Sequence, residues 1–224
     1  MRGMKCYSWL FVFALVLMMM ASGVQADSKI AFATDRDDAD FDIFDMDTDG
    51  TDQAAVADET YAERRPSYSL DGDHIIYDDG TDLFRKNADG TGNAVNLTDA
   101  TSGTCGTGNI CQDADADPRT STSNDNFRIV FTRETTADTT GEIFLATVDV
   151  VSGSLTDITV VESEEDVINY QPAWCGDDRV VWSREIGCGT CGQSLLYWWE
   201  LCFIDIDEDL DPPSVPTSVR QFLL

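Results

Sequence analysis

Histidine is almost missing from this 224-residue chain, in which His74 is the single example. A structural zinc site needs four ligands, and the Cys188/Cys191 pair has no histidine near it in the sequence. The nucleophile-elbow pattern G-x-S-x-G is also missing, since Ser194 is followed by two leucines. The sequence therefore argues against a histidine-containing zinc centre and gives almost no support to a serine hydrolase site.

Positive charge is scarce as well. The chain has 42 acidic and 14 basic side chains, which give a formal net charge of −28. Such a surface repels the phosphates of nucleic acids and of anionic lipids. We therefore expect cations, basic proteins or neutral ligands as partners, and no nucleic acid. A saline habitat would explain the same composition.

Long apolar runs are confined to the N-terminus. Residues 1–26 contain two basic residues, the apolar run Trp9–Met20 and a small-residue segment that ends in Ala26. This order is typical of a secretory signal peptide, and the run is too short to span a bilayer. We expect cleavage after Ala26, with an uncleaved anchor as the alternative. Residues 27–224 would then form one domain, periplasmic or secreted, with no membrane span.

The stretch from Arg64 to Gly90 shows the local pattern that recurs along the chain. Short apolar runs such as Ile75–Tyr77 alternate with Asp-Gly turns, which begin at Asp71, Asp79 and Asp89. Asp-Gly between β-branched or aromatic runs predicts hairpins, because glycine accepts positive φ angles. The sequence therefore predicts an antiparallel meander and an all-β fold.

The pattern repeats with a period of roughly 40–50 residues. Residues 42–44 and 47–51 match residues 82–84 and 87–91 without a gap. Runs of the Ile-x-Phe type begin at Ile30, Ile75, Ile129 and Val180, and proline-containing openings precede the last three, at Pro66, Pro118 and Pro172. A repeat of this length holds four short strands, which is the size of a propeller blade.

At these residues the chain resembles the TolB-like β-propeller repeat family, whose unit reads approximately P-x-W-S-x-D-G, I-A-F, I-Y, D-G, L-T. The units in the sequence amount to about four four-stranded antiparallel blades, at approximately 29–57, 66–98, 117–160 and 170–224, whereas the resemblance implies six blades. The first unit has no room for an innermost strand before Lys29. The strand count fits an incomplete propeller. The alternatives are a closed four-bladed ring, in which residues 218–224 pair with the first unit, and an open array that pairs with another copy.

One motif resembles the opening of a calcium-binding loop. Its D-x-D-x-D-G carboxylates belong to Asp45, Asp47 and Asp49. The glutamate required at the twelfth position is missing, because Val56 stands there. The repeat also aligns Asp49 with the hairpin turn at Asp89, which favours a turn with solvated carboxylates. Calcium is thus the one possible cofactor, and otherwise none is expected.

Six cysteines follow residue 26, and an even number in an exported chain predicts disulfides. They are Cys105, Cys111, Cys175, Cys188, Cys191 and Cys202. The first two bracket a small loop and are expected to pair with each other. The C-x-x-C pair could be redox-active, but that chemistry normally uses a helix N-terminus to lower the thiol pKa. Structural disulfides are therefore favoured.

Trp198 and Trp199 belong to an aromatic cluster in the last unit. Neighbouring strand residues face opposite sides, so one of the two is expected to face away from the core. Packing of blade against blade is the simpler interpretation. The alternative is an exposed tryptophan that stacks on a sugar or on a partner protein.

The resemblance implies an envelope protein that contacts other proteins. We expect an exported, non-catalytic β-propeller that acts as a protein-binding scaffold in the cell envelope or outside the cell. The alternative is the propeller portion of a hydrolase, either peptidase-associated or carbohydrate-active, because propellers of this repeat type also precede the catalytic domain of prolyl-oligopeptidase-like enzymes.

Overall fold

All regular structure in the described chain is β-strand. The computed structural model describes residues 28–36, 40–98, 111–120, 126–135, 141–162, 167–175, 179–187, 197–206 and 220–223. These residues form fifteen strands in four antiparallel sheets. None of them forms a helix long and apolar enough to cross a membrane. The predicted all-β class is confirmed.

Each sheet is a meander in which consecutive strands are neighbours. The first sheet contains β1 (Lys29–Thr34), β2 (Asp42–Asp47) and β3 (Ala54–Ala57). The second contains β4 (Arg64–Tyr68), β5 (His74–Asp78), β6 (Leu83–Asn87) and β7 (Val95–Asn96). The third contains β8 (Cys111–Thr120), β9 (Phe127–Thr135), β10 (Glu142–Asp149) and β11 (Ser154–Glu162). The fourth contains β12 (Val167–Trp174), β13 (Arg179–Gly187), β14 (Tyr197–Asp205) and β15 (Arg220–Leu223).

Four reversals in the first and second sheets use the Asp-Gly pairs that the sequence marks as turns. Gly90 has a φ of +75°, a conformation that side chains rarely adopt. Asp49 Oδ1 accepts hydrogen bonds from the backbone N and the Oγ1 of Thr51, at 2.9 and 2.6 Å. Asp89 accepts the same two bonds from Thr91 at the same distances. The repeated sequence therefore forms the same turn twice.

Three apolar cores lie between neighbouring sheets, and the middle sheets contribute to two cores each. Ile75, Ile129 and Val180 hold equivalent positions on β5, β9 and β13, and each is buried in the core shared with the preceding sheet. The residues that follow the first two, Ile76 and Val130, face the next sheet. This alternation is the one expected for strands buried on both faces. The prediction that successive meanders stack side by side is confirmed.

The first sheet has no counterpart of the innermost strands β4, β8 and β12 among the described residues. β1 pairs with β2 as β5 pairs with β6, so the three strands of this sheet correspond to β5–β7. This agrees with the prediction that the first unit lacks room for an innermost strand, so three of the four sheets are four-stranded. Ile30, the equivalent of Ile75, has no preceding sheet against it in the described chain and is 41% exposed.

The innermost strands contain β-bulges. In β4 and β12 one extra residue is inserted at the segments that contain Pro66 and Pro172. Proline is tolerated there because these strands form sheet edges and a bulge interrupts the ladder. In β8 the bulge lies earlier, and Pro118 follows it and pairs with Ile129. Pro118 thus precedes its apolar run on the innermost strand, as the other two prolines do, but it follows the bulge instead of lying in it.

Some strands extend beyond the predicted blade limits. β8 begins at Cys111 and β12 at Val167, ahead of the predicted residues 117 and 170. The first half of β8 is rich in aspartate, which has little strand propensity, so its pairing with β9 rather than local preference forms the strand. β15 pairs with β14 and completes the fourth sheet.

Glycine is required at position 141, at the start of β10. Gly141 has a φ of +68°, and a Cβ there would lie 2.8 Å from the carbonyl oxygen of Asn169. We expect Gly141→Ala to lower the free energy of unfolding by about 3 kcal/mol, because backbone strain and overlap add together. The matched control is Gly50→Ala: Gly50 has a φ of +85° with no atom within 4 Å, so a loss of about 1 kcal/mol is expected. Urea denaturation compares the variants, and equal losses would contradict the prediction.

Candidate functional site

Four turns lie at the same end of their sheets and form one face, here called the turn face. They comprise residues 47–51, 69–73, 87–91 and 149–152. They share this end because β2, β4, β6 and β10 all finish there. Loops carried on a sheet scaffold are where proteins most often place binding residues. The turn face is therefore the candidate site.

Aspartates in these turns are kept ionised by local hydrogen bonds. Bonds from the threonine two residues further on lower the pKa of both Asp49 and Asp89. Bonds from Ser152 lower the pKa of Asp149 in the same way. Hydrogen bonds to a carboxylate favour its charged form. The turn face therefore remains negatively charged at neutral pH.

The larger cleft of the turn face lies between the first and second sheets and has a volume of about 680 Å³. Ala54 and Ala55 of β3 form part of one wall, and Leu70 in the turn between β4 and β5 forms part of the other. Asp71 and Asp89 stand at its rim. Ligand sites typically have volumes of about 300–1,000 Å³. The cleft is thus large enough for a small molecule or a short peptide segment.

Lys29, Asp45 and Tyr68 form a group of polar side chains in the lining of this cleft. Lys29 Nζ lies 3.1 Å from Asp45 Oδ2, and the Tyr68 hydroxyl donates to the same oxygen at 3.4 Å. The bond to Asp45 raises the pKa of Lys29. Burial, helped by the charge of Asp45, raises the pKa of Tyr68 to about 12. At neutral pH Lys29 therefore carries its charge and the Tyr68 phenol is neutral.

A second cleft, of about 550 Å³, lies beside the first, between the second and third sheets. Asp71 and Asp89 line both clefts, so the turns of the second sheet form the ridge between them. His74, the first residue of β5, lines the second cleft, and its ring stacks on Phe127 with 5.9 Å between centroids. The turn face thus presents two adjoining depressions that share an acidic ridge.

The three aspartates of the predicted calcium loop have different partners. Asp45 and Asp47 lie 3.1 and 3.8 Å from Lys29 Nζ, whereas Asp49 bonds to Thr51. Within the described ranges, no group of three or more histidine, cysteine, aspartate or glutamate residues is placed to hold a metal ion. Calcium binding at this loop stays a prediction from the motif.

The structure describes the side chains of two of the six cysteines predicted to form disulfides. Cys175 is exposed just after β12, Cys202 is buried in β14, and no disulfide joins these two. The side chains of the other four lie outside the described residues: Cys105, Cys111, Cys188 and Cys191. Disulfide formation therefore stays a prediction.

Trp198 and Trp199, the predicted binding tryptophans, lie on β14. Their backbone positions are opposite Ile186 and Glu185 of β13. The two side chains lie outside the described residues, so a binding role for either stays a prediction.

Antiparallel meanders of three or four strands that stack side by side are the architecture of β-propeller blades. The putative TolB from Agrobacterium tumefaciens is similar to this chain, with a TM-score of 0.54 and 14% identity over 87% of this chain. This likeness confirms the predicted TolB-like fold and shows the fold alone. The chain spans 62% of the length of that TolB.

Two further solved structures are similar at lower TM-scores. TolB from Acinetobacter baumannii has a TM-score of 0.36 and 13% identity over 92% of this chain and 58% of its own. Hydrazine synthase from Kuenenia stuttgartiensis has a TM-score of 0.43 and 8% identity over 82% of this chain and 60% of its own. No protein-family model matches the sequence, and no curated protein does.

Proposed function

We propose that the protein is exported and acts as a non-catalytic β-propeller scaffold that binds another protein in the cell envelope or outside the cell. The observation that carries the proposal is the turn face, where two adjoining clefts share an acidic ridge on a TolB-like propeller. Residues 1–26, with their short apolar run and small-residue end, support export. The net charge of −28 favours a partner with a basic surface.

The chemistry of the larger cleft suits binding better than catalysis. Lys29 is held as an ammonium ion by Asp45, and the high pKa of Tyr68 keeps its phenol protonated. A general base needs a pKa near the working pH, and neither of these two groups meets that condition. The cleft offers fixed charges and apolar contact, which are the elements of a recognition site.

The full chain with a C-terminal affinity tag tests export and binding in its own organism. We expect the tagged protein in the periplasm or the medium, with its N-terminus at Asp27, and crosslinked to an identified partner that also binds it after purification. Retention inside the cell with residues 1–26 still attached would contradict export. Recovery outside the cell without a reproducible partner would contradict the scaffold role, and turnover of a peptidase or glycosidase substrate would favour the hydrolase alternative.

A further inference from the structure

We infer that the larger cleft, between the first and second sheets, takes a short basic segment of a partner protein, in which an arginine or lysine stands beside an apolar side chain. The inference rests on the proposed scaffold function and names the site and the chemistry of its occupant. Three features of the cleft carry it: an exposed leucine, a rim of ionised carboxylates, and a lysine whose charge is already neutralised.

Leu70 supplies the apolar contact. It occupies the turn between β4 and β5, lines the cleft, and is 73% exposed. The alanines of β3 in the opposite wall, Ala54 and Ala55, are exposed too. The Leu70 side chain exposes apolar surface to water in this turn. An apolar side chain of a partner, placed between these walls, would be covered on both sides, and burial of this surface would favour binding. The cleft therefore fits an aliphatic side chain.

Asp71 and Asp89 supply the charge. Asp71 Oδ1 accepts hydrogen bonds from Ser69 Oγ at 2.6 Å and from the backbone N of Asp73 at 3.1 Å. Asp89 Oδ1 accepts both of its bonds from Thr91. Within the described chain, the Oδ2 atom of each carboxylate accepts no hydrogen bond. Charge-assisted bonds from a guanidinium or ammonium group would satisfy these oxygen atoms.

Lys29 does not cancel the charge of the rim. Its Nζ lies 3.1 Å from Asp45 and 3.8 Å from Asp47, so these two carboxylates compensate its charge. The charged lining residues are one lysine and three aspartates, which leaves the cleft negative. An acidic segment would be repelled there, whereas a basic one gains complementary charge. This charge pattern favours an occupant with positive charge.

Binding of a synthetic peptide tests the inference. The probe is an end-blocked, fluorescently labelled Gly-Arg-Leu-Arg-Leu-Gly, titrated with the full processed chain and followed by fluorescence anisotropy. We expect it to bind, the version with glutamate in place of arginine to show no binding, and the version with serine in place of leucine to bind about tenfold more weakly. Equal binding of the arginine and glutamate peptides would overturn the inference.

Protein variants locate the site. Leu70→Ser should weaken binding of the arginine peptide about tenfold, and the double variant Asp71→Asn/Asp89→Asn should weaken it by a similar factor. Asparagine keeps the Oδ1 acceptor of each turn, so these turns should remain folded. Two matched controls make the same kinds of change outside the cleft: Val151→Ser removes an apolar side chain that is 91% exposed, and Asp49→Asn/Asp149→Asn removes the same charge from equivalent turns.

The controls separate the cleft from general charge attraction. If both control variants bind the peptide as the unmodified protein does while the cleft variants lose affinity, the inference is supported. If the two aspartate double variants lose affinity equally, attraction to the acidic surface explains binding and the inference fails. A partner captured equally by the unmodified protein and by Leu70→Ser would leave the scaffold function standing and remove this site. Peptide binding with the expected pattern, without any captured partner, would support this site and remove the scaffold function.

Discussion

Replacing Arg184 with methionine should lower the free energy of unfolding by about 4 kcal/mol. Arg184 is buried on β13, and its Nη2 lies 2.9 Å from Glu162 Oε2 at the end of β11. Its Nε donates to Asn169 Oδ1 at 3.4 Å, and Trp182 Nε1 donates to the same oxygen at 3.0 Å. Methionine fills much of the space but leaves the Glu162 carboxylate, 11% exposed, without this counter-charge. Loss of this buried charge pair dominates the expected destabilisation.

The same strand offers a matched control. Arg179 Nε lies 2.6 Å from Asp205 Oδ1, but the two side chains are 42% and 47% exposed. Arg179→Met should therefore cost about 1 kcal/mol or less, as exposed ion pairs do. Adding Glu162→Gln to Arg184→Met should recover part of the loss, because it removes the carboxylate that has lost the Arg184 guanidinium. Urea denaturation measures all three variants, and a loss for Arg184→Met no greater than that for Arg179→Met would disprove the assignment.

Titration of Glu63 should make the protein less stable as the pH rises towards neutrality. Glu63 is fully buried in the link between the first and second sheets. Its carboxyl accepts hydrogen bonds from the backbone N of Glu59 at 2.8 Å and of Ile43 at 3.3 Å. Burial raises its pKa from 4.5 to about 7 although these two bonds oppose the rise, and the carboxylates of Asp42 and Glu59 add to it. The folded protein therefore holds this proton more tightly than the unfolded chain.

The sign of the effect follows from proton linkage. Glu63 stabilises the fold fully below its unfolded pKa of 4.5, and this contribution is lost as the pH rises through about 7. The shift corresponds to about 3 kcal/mol. We expect the free energy of unfolding of the unmodified protein to fall by this amount relative to Glu63→Gln across that window. Glu185→Gln, which removes a carboxylate from β13, should keep the decline. A difference between the unmodified protein and Glu63→Gln that does not change with pH would refute the prediction.

The regular part of the fold could be predicted because its signals are local. Asp49 and Asp89 stand in matching sequences, and each makes the same turn with its own threonine. Ile75, Ile129 and Val180 belong to alternating apolar runs, and alternation alone assigns them to equivalent buried positions. Each of these features depends on residues close in sequence, which a reading of the chain can compare directly.

The candidate site could not be predicted because it depends on how two sheets meet. Leu70 lines the larger cleft only because its turn comes to lie near β3 of the neighbouring sheet. The signal available was an apolar residue inside an Asp-Gly turn, where polar residues are usual. Glu63 and Arg184 were missed for the same reason: their partners lie on other strands or links, and charged residues are rarely buried unless paired.

The two-sided strands constrain how the chain can change in length. Insertion of a single residue in β5 or β9 would exchange the two faces of that strand and spoil two cores at once. The bulged strands β4, β8 and β12 already contain one residue more than their partners. These strands are therefore among the places where an odd residue can be gained or lost over evolutionary time without disturbing the neighbouring sheets.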